Sequence, residues 1–249
     1  MDKLVYTAAT GLKAHMQAQA AIANNMANAA TIGFRADRAL FDRVNLTGDG
    51  FDTRMPASEE VLDIDRTAGA ITQTGRPLDI AIPGESWLAV QAPDGTEAYT
   101  RRGDLQVNSA GVLETGDGFP VMGASGGPIT VPPAQSIKAA EDGSLMIVPN
   151  GGDPTRPQII DKLKLASPKG SQTVKGLDNL LRVKGGGVLP QDMDAKVEGG
   201  ALEQSNVNMT QALVDMIENQ RSYEVQANLM KEAKTMDESA ASVMRVSSQ

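Results

Sequence analysis

The chain has no cysteine, a single histidine and very few large rings, and each scarcity removes a class of function. Without cysteine there is no disulfide, no thiolate nucleophile and no sulfur metal ligand. The lone imidazole, His15, has no second histidine or cysteine with which to hold a metal. Aromatic residues make up 3% of the 249 positions, so the core is built from Ala, Val, Ile, Leu and Met. Cores of this kind suit closely packed helices better than deep ligand pockets, which aromatic side chains tend to line. Basic residues are the minority charge, 23 Lys and Arg against 31 Asp and Glu, giving a formal charge of −8. Nucleic-acid binding asks for a basic stripe and adhesion to an anionic membrane for a basic patch, so neither partner is expected. No run approaches the ~20 apolar residues that cross a bilayer, so direct membrane insertion is not expected. The N-terminus lacks the basic start and short apolar core of a secretory signal. The chain therefore reads as cytosolic, or as exported by a route that needs no cleaved signal.

Glycine and proline are absent where they matter most. All 13 prolines lie between Pro56 and Pro190; only Gly11 and Gly33 precede Gly48, and no glycine follows Gly200. These residues end helices and make turns. Two breaker-poor ends around a breaker-rich middle predict helical termini and a centre of short strands and loops.

From Asp2 to about Asn28, Val5, Ala9, Leu12, Met16, Ala23 and Met26 follow steps of four and three, with Gln19 filling the remaining position. This is the 3.5-residue period of a coiled-coil-like stripe. Gly11 weakens the helix but permits close approach of another backbone, and Gly33 can take the left-handed conformation past the helix end. From Asn208 to about Val246 the same spacing links Met209, Leu213, Met216, Gln220, Tyr223, Ala227, Met230, Ala241 and Met244, interrupted at Lys234 and Asp237. Asn208 is the expected N-cap, with Gln211 three residues on as in a capping box. Each stripe is wider than a strict seam, so one helix cannot cover the other, and the remaining apolar area is expected to meet other subunits.

Between the ends, Leu78 to Ile82, Trp87 to Gln91, Ala98 to Arg101, Asp104 to Val107, Val112 to Thr115, Ser144 to Val148, Ile159 to Ala166 and Leu180 to Lys184 read as short strands separated by turns such as Pro93-Asp-Gly95. Ala98–Arg101 and Asp104–Val107 are expected to pair across Arg102-Gly103. The fold class is thus α+β: long N- and C-terminal helices packed as a coiled-coil-like domain (residues 1–34 and 203–249), an aperiodic connector (35–75) whose most exposed part is Thr53 to Ser58, and a central antiparallel all-β outer domain (76–202).

Chemical motifs find no support. Asp63 with Asp65 and Asp192 with Asp194 lack the Gly-centred loop of a calcium hand. Gly123-Ala-Ser125-Gly-Gly127 matches G-x-S-x-G in letters, but Pro128 and a strand follow it where a nucleophile elbow needs a helix. No dinucleotide or phosphate-binding glycine loop is present. Neither a cofactor nor a catalytic group is expected.

Three blocks do carry a resemblance. Ser205-Asn-Val-Asn208, Met216-Ile217 and Gln220-Arg-Ser-Tyr-Glu224 resemble the C-terminal signature of bacterial flagellar rod and hook proteins. Asn24-Asn-Met-Ala-Asn28 and Thr31-Ile-Gly-Phe34-Arg35 resemble that family's first helix and stop, and Leu78-Asp-Ile-Ala-Ile82, Tyr99-Thr-Arg101 and Gly103 its middle. The opening Met1-Asp2, Tyr6-Thr-Ala8, Arg76-Pro-Leu-Asp79 and the short connector favour a proximal-rod member over a distal-rod one. One departure is Pro83-Gly84-Glu85-Ser86, where relatives often have Gly-x-Gly and a Phe pair. The resemblance implies a structural subunit of the periplasmic rod in the flagellar basal body, transmitting motor torque. It implies export by the flagellar type III apparatus, and partnership with copies of itself and with other proximal and distal rod subunits.

Stripe and resemblance together select an assembly interface: Leu12, Met16, Met26, Leu213, Met216, Ile217, Tyr223 and Met230 as apolar contacts, and Asn25, Asn28, Asn206 and Gln220 as polar contacts fixing register. Two other readings remain open to the sequence. One is a binding adaptor dimerised by a coiled coil; the other is a hydrolase built on Ser125.

Overall fold

The computed structural model describes residues 2–43, 57–153 and 155–246. Of the expected exposed connector Thr53 to Ser58, residues 53–56 lie outside the described residues, as do the side chains of the stripe positions Val5, Asp237, Ala241 and Met244. The chain divides into two compact units. The first comprises residues 1–27, 37–63 and 208–249, the second residues 28–36 and 64–207.

The first unit contains helix α1 (Asp2–Ala27), strands β1 (Asp37–Arg43) and β2 (Ala57–Ile64), which pair as a two-stranded sheet, and helix α2 (Met209–Val246). The absence of proline from both ends lets each helix run unbroken. At 1.5 Å per residue the 38 residues of α2 span ~57 Å. Its start is capped as the sequence suggests: Asn208 Oδ1 accepts hydrogen bonds from the backbone N–H groups of Thr210 (3.0 Å) and Gln211 (3.2 Å). The reciprocal half of a capping box is not made, because the Gln211 side chain turns to Asp215 instead.

The coiled-coil-like packing expected of the helices is not found. They run antiparallel, with Gly11 beside Gln226 and His15 beside Asn219, but the seam is polar and small. His15 Nδ1 lies 2.7 Å from Asn219 Oδ1, and Asn219 Nδ2 donates to the His15 carbonyl (2.9 Å) and to Gln19 Oε1 (2.8 Å). A Cβ at Gly11 would collide with the Gln226 side chain, so the glycine admits a side chain there rather than a backbone. On α2 the inward face recurs every seven residues at Ala212, Asn219, Gln226 and Ala233, the two alanines being buried. Knobs-into-holes packing needs apolar side chains at that seam. Here the apolar stripe lies beside it: Met16, Leu213 and Ile217 are 59%, 45% and 54% exposed. The fold is two terminal helices flanking a large β region, α+β without a coiled coil.

The second unit holds the strands β3 (Ile71–Gln73), β4 (Ile80–Ala81), β5 (Trp87–Gln91), β6 (Glu97–Thr100), β7 (Leu105–Val107), β8 (Leu113–Thr115), β9 (Ala134–Ala139), β10 (Ser144–Pro149), β11 (Gln158–Lys162), β12 (Leu165–Ala166), β13 (Thr173–Lys175), β14 (Leu181–Val183), β15 (Glu198–Gly199) and β16 (Ala201–Glu203). All described pairings are antiparallel. The largest sheet has the order β12-β5-β6-β14-β13; β11-β10-β9 form a second, and β3 with β16, β4 with β15 and β7 with β8 form ribbons. The hairpin expected across Arg102-Gly103 is not formed. Strand β6 pairs with β5 and β14, while β7 pairs with β8. Gly103 explains the break, since its backbone packs so closely on the Ile80 carbonyl that a Cβ would overlap it.

Alternation along β5 builds both cores. Leu88 and Val90 enter an aliphatic cluster with Ile80, Leu105, Leu113 and Leu145, all at most 1% exposed. Trp87 and Ala89 point the other way, into a cluster with Tyr99, Ala166, Leu181 and Leu189. A strand covered on both faces is apolar throughout, which is why Trp87 to Val90 contains no polar residue.

Candidate assembly interface

In the helical unit, the residues singled out from the stripe separate by exposure. Met16, Leu213 and Ile217 face solvent, with Val214, Val225, Leu229 and Met236 also 43–60% exposed. Leu12, Met26, Met216, Tyr223 and Met230 are half-buried. Gln220 is exposed and reaches only Glu224, at 3.4 Å. Asn25 is engaged within the unit, donating from Nδ2 to the Asp37 carbonyl (2.9 Å) and accepting the Asp37 N–H at Oδ1 (2.7 Å). That reciprocal pair copies a β-ladder step with a side-chain amide and fixes the start of β1 against α1.

In the β unit, Asn28 accepts the Thr31 hydroxyl at Oδ1 (3.1 Å) and the Thr31 N–H at its carbonyl (3.0 Å), closing the turn that leads to Gly33. Gly33 has φ +67°, as expected of a residue past a helix end, and a Cβ there would strike the Arg101 backbone. Asn206 Oδ1 accepts the Ala36 N–H (2.8 Å), and its Nδ2 donates to the carbonyls of Asp65 (3.1 Å) and Thr67 (3.0 Å). One side chain thus joins three segments far apart in sequence.

Beside Asn206 lies an arrangement that no sequence pattern announced. Glu203, Arg101 and Arg35 are 2%, 2% and 4% exposed. Glu203 Oε1 accepts from Arg35 (2.5 Å) and from the Gly69 N–H (2.9 Å), while Oε2 accepts from Arg101 Nη2 (2.7 Å) and Nε (2.8 Å). Arg101 further donates to the carbonyls of Ser86, Ile82 and Gly84, and Arg35 to that of Arg66. Trp87 lies under both guanidinium groups, its ring centre 6.0 Å from Arg35 and 5.8 Å from Arg101. Burial pushes both arginines below their ordinary pKa, while Glu203, and for Arg35 also Asp65, act in the opposite direction. The only local hint is an acid placed after Ala201-Leu202 in a buried strand. Its partners stand about a hundred or more residues away, beyond any periodicity.

Nothing in this set resembles a reaction centre. Ser125 Oγ donates to Asp161 at 3.2 Å, and His15 is held by Asn219. Among the described residues there is no cluster of acidic and histidine side chains able to hold a metal, and no helix is long and apolar enough to cross a membrane. What the elements define is a protein of structural type: a buried polar lock in a β unit, and long helices with apolar side chains facing outward.

Comparison with known proteins gives the class a family. Residues 5–35 match the family profile described as flagella basal body rod protein, residues 81–147 that of the flagellar hook protein FlgE/F/G D1 domain, and residues 198–243 that of the flagellar basal body rod FlgEFG protein C-terminal. The chain is 38% identical to the flagellar basal-body rod protein FlgF of Salmonella typhimurium over 96% of its own length and 95% of that protein's. Against FlgF of Escherichia coli the identity is also 38%, covering 96% of each chain. Against the rod protein FlgG of Buchnera aphidicola (from Acyrthosiphon pisum) it is 31% over 87% of this chain and 90% of the relative. The chain belongs to the flagellar basal-body rod protein family and is a structural subunit of that rod.

Proposed function

We propose that this subunit occupies the FlgF-like, proximal position in the rod and that its helical unit is the assembly surface. The observation that carries the reading is the exposed apolar side chains along α2, in two stripes at helical spacing, Met209, Leu213 and Ile217 in one and Val214, Val225, Leu229 and Met236 in the other, each at least 43% exposed. An exposed stripe of this length is an association site, and open helical growth needs one patch to meet a different patch on the next copy. At about 25 cal/mol per Å2 of apolar area, burying such a stripe supplies the association energy. Leu12, Met16, Met26, Leu213, Met216, Ile217, Tyr223 and Met230 then supply apolar contacts to neighbouring copies and to other rod proteins. Gln220 supplies an exposed polar one.

The FlgF-like assignment is favoured over a FlgG-like one by 38% identity to the two FlgF chains against 31% to FlgG. A role in the periplasmic basal body, reached through the flagellar type III apparatus, and the lack of any enzymatic step belong to the same proposal.

The test is a double substitution on the exposed face, Leu213→Asp with Ile217→Asp, expressed in a strain lacking the native subunit. The expected result is a soluble monomer with an intact β unit, no motility, and basal bodies whose rods end near the base. Normal rods and swimming would refute the reading.

A further inference from the structure

The buried cluster holds more positive than negative charge. Two guanidinium groups, at most 4% exposed, share the single carboxylate of Glu203. Arg101 spends its donors on Glu203 and three backbone carbonyls. Arg35 does not: its Nε is buried and, among the described residues, has no hydrogen-bond partner. Asp65 adds a negative charge near Arg35, but a buried donor left unpaired still costs free energy unless something meets it.

Beside these groups is a cavity of about 70 Å3 lined by Arg35, Arg66, Arg101, Trp87 and Lys169, and by one acid, Glu85. A water-sized group needs about 10–15 Å3 of such space, so a group of a few heavy atoms fits and a sugar or nucleotide does not. The cationic side chains at its edge are loosely held. Lys169 meets Glu85 at 3.5 Å with both more than two-thirds exposed, and Arg66 reaches Thr173 Oγ1 at 3.4 Å. In a chain of formal charge −8 this is a local concentration of cations around a small space.

We propose that this cavity is a binding site for a small carboxylate. Its two oxygens suit planar guanidinium forks: one meets the unpaired Arg35 Nε, the other meets Arg66 with Lys169 alongside, and Trp87 forms a flat wall. The carboxylate gives the buried Arg35 Nε the acceptor it lacks. It comes either from a free monocarboxylate or from an acidic side chain of another subunit, and both present the same chemistry. The proposal rests on the β unit alone and does not depend on the assignment of the assembly face.

Trp87 is the only tryptophan in the chain, so its fluorescence reports the cavity directly. The full chain is titrated with sodium formate at constant ionic strength, beside the double variant Arg66→Ala, Lys169→Ala, whose fold is checked by circular dichroism. A saturable fluorescence change with a midpoint on the order of millimolar, weakened at least fivefold in the variant, supports the site. A linear, non-saturating response, or the same curve in the folded variant, overturns it. The source of the carboxylate is then read by sedimentation. Formate that saturates the fluorescence and also suppresses self-association indicates an acidic side chain of a neighbouring subunit. Formate that saturates it and leaves association unchanged indicates a free anion.

Discussion

Glu203 and Arg101 meet at 2.7 Å with their side chains 2% and 1% exposed, although they stand 102 residues apart in the chain. Removing one partner of a buried ion pair strands the other, at a cost of about 3–5 kcal/mol. Glu203→Gln strands two guanidinium groups, Arg35 and Arg101. The expected outcome is a loss of that size in the urea unfolding of the β unit, followed through Trp87. Replacing all three charges together, as Arg35→Met, Arg101→Leu and Glu203→Leu, is expected to recover only part of it: no charge is left buried, but the carbonyls of Ser86, Ile82 and Gly84 lose their donor.

The polar seam between the helices gives a second expectation. Asn219 joins α1 to α2 through three hydrogen bonds, to His15 twice and to Gln19 once. Asn219→Ala removes all three and leaves the His15 ring, the His15 carbonyl and Gln19 Oε1 without these partners. At about 0.5–1.5 kcal/mol per bond, offset by water and by the better helix propensity of alanine, the net loss is about 1–2 kcal/mol. Hydrogen exchange checks this: the amides of α1 around His15 exchange roughly ten times faster, while those of β5 and β6 are unchanged.

The titrating groups make stability fall at both ends of the pH scale. Asp178 is held below its ordinary pKa, first by its side-chain hydrogen bonds to Arg182 at 2.6 and 3.0 Å. Ser86 does the same for Asp192 and Ser144 for Asp142. A carboxyl depressed in the fold adds stability above its unfolded pKa of about 4 and loses it as pH falls through the folded value. Asp178→Asn is therefore expected to flatten acid unfolding below about pH 4, by a small amount because the pair is partly exposed. Tyr99 has the opposite sign. Burial raises its pKa well above the tyrosine range, the Leu189 N–H donates to its oxygen at 2.6 Å, and its own hydroxyl donates to Glu97. The unfolded tyrosine ionises near pH ~10 while the folded one does not, so stability drains as pH rises above ~10. Tyr99→Phe is expected to be less stable at neutral pH, having lost the acceptor for Leu189, yet to show a shallower alkaline decline.

Part of this structure is written locally and part is not. Helix ends, the Asn208 cap, the Gly33 turn and strands such as Trp87–Gln91 follow from neighbouring residues, and were legible from proline, glycine and alternation. The family was legible because its motifs are contiguous blocks. Helix pairing was misread for a physical reason: the stripe of Leu213 and Ile217 has the period of a seam, but Gly11, His15 and Gln19 on α1 match the small and polar Ala212–Asn219–Gln226–Ala233 face instead. Periodicity reports which residues share a face, not which face finds a partner. Strands β1 and β2 were missed because their polar sequences, Asp37–Arg43 and Ala57–Ile64, show no clean alternation and rely on pairing with each other. The Arg35–Glu203–Arg101 cluster depends on contacts across more than a hundred residues, for which a single sequence holds no signal.

Asn206 gives the sharpest separation between folding and assembly. Its amide donates to two carbonyls, Asp65 and Thr67, and its oxygen accepts the Ala36 N–H. Asn206→Asp keeps the shape and the acceptor but replaces two donations with a carboxylate oxygen facing two carbonyl oxygens. An unpaired buried group costs about 1–3 kcal/mol; here the Asp65 carbonyl is part-buried and that of Thr67 exposed to water, so with the repulsion added a destabilisation of about 1–2 kcal/mol is expected in the isolated monomer. Asn206→Ala, which adds no charge, is expected to cost less. Chemical unfolding of both monomeric variants checks the order. Were both to unfold like the parent chain yet fail to assemble, Asn206 would be acting between subunits and not as the clasp of three segments within one.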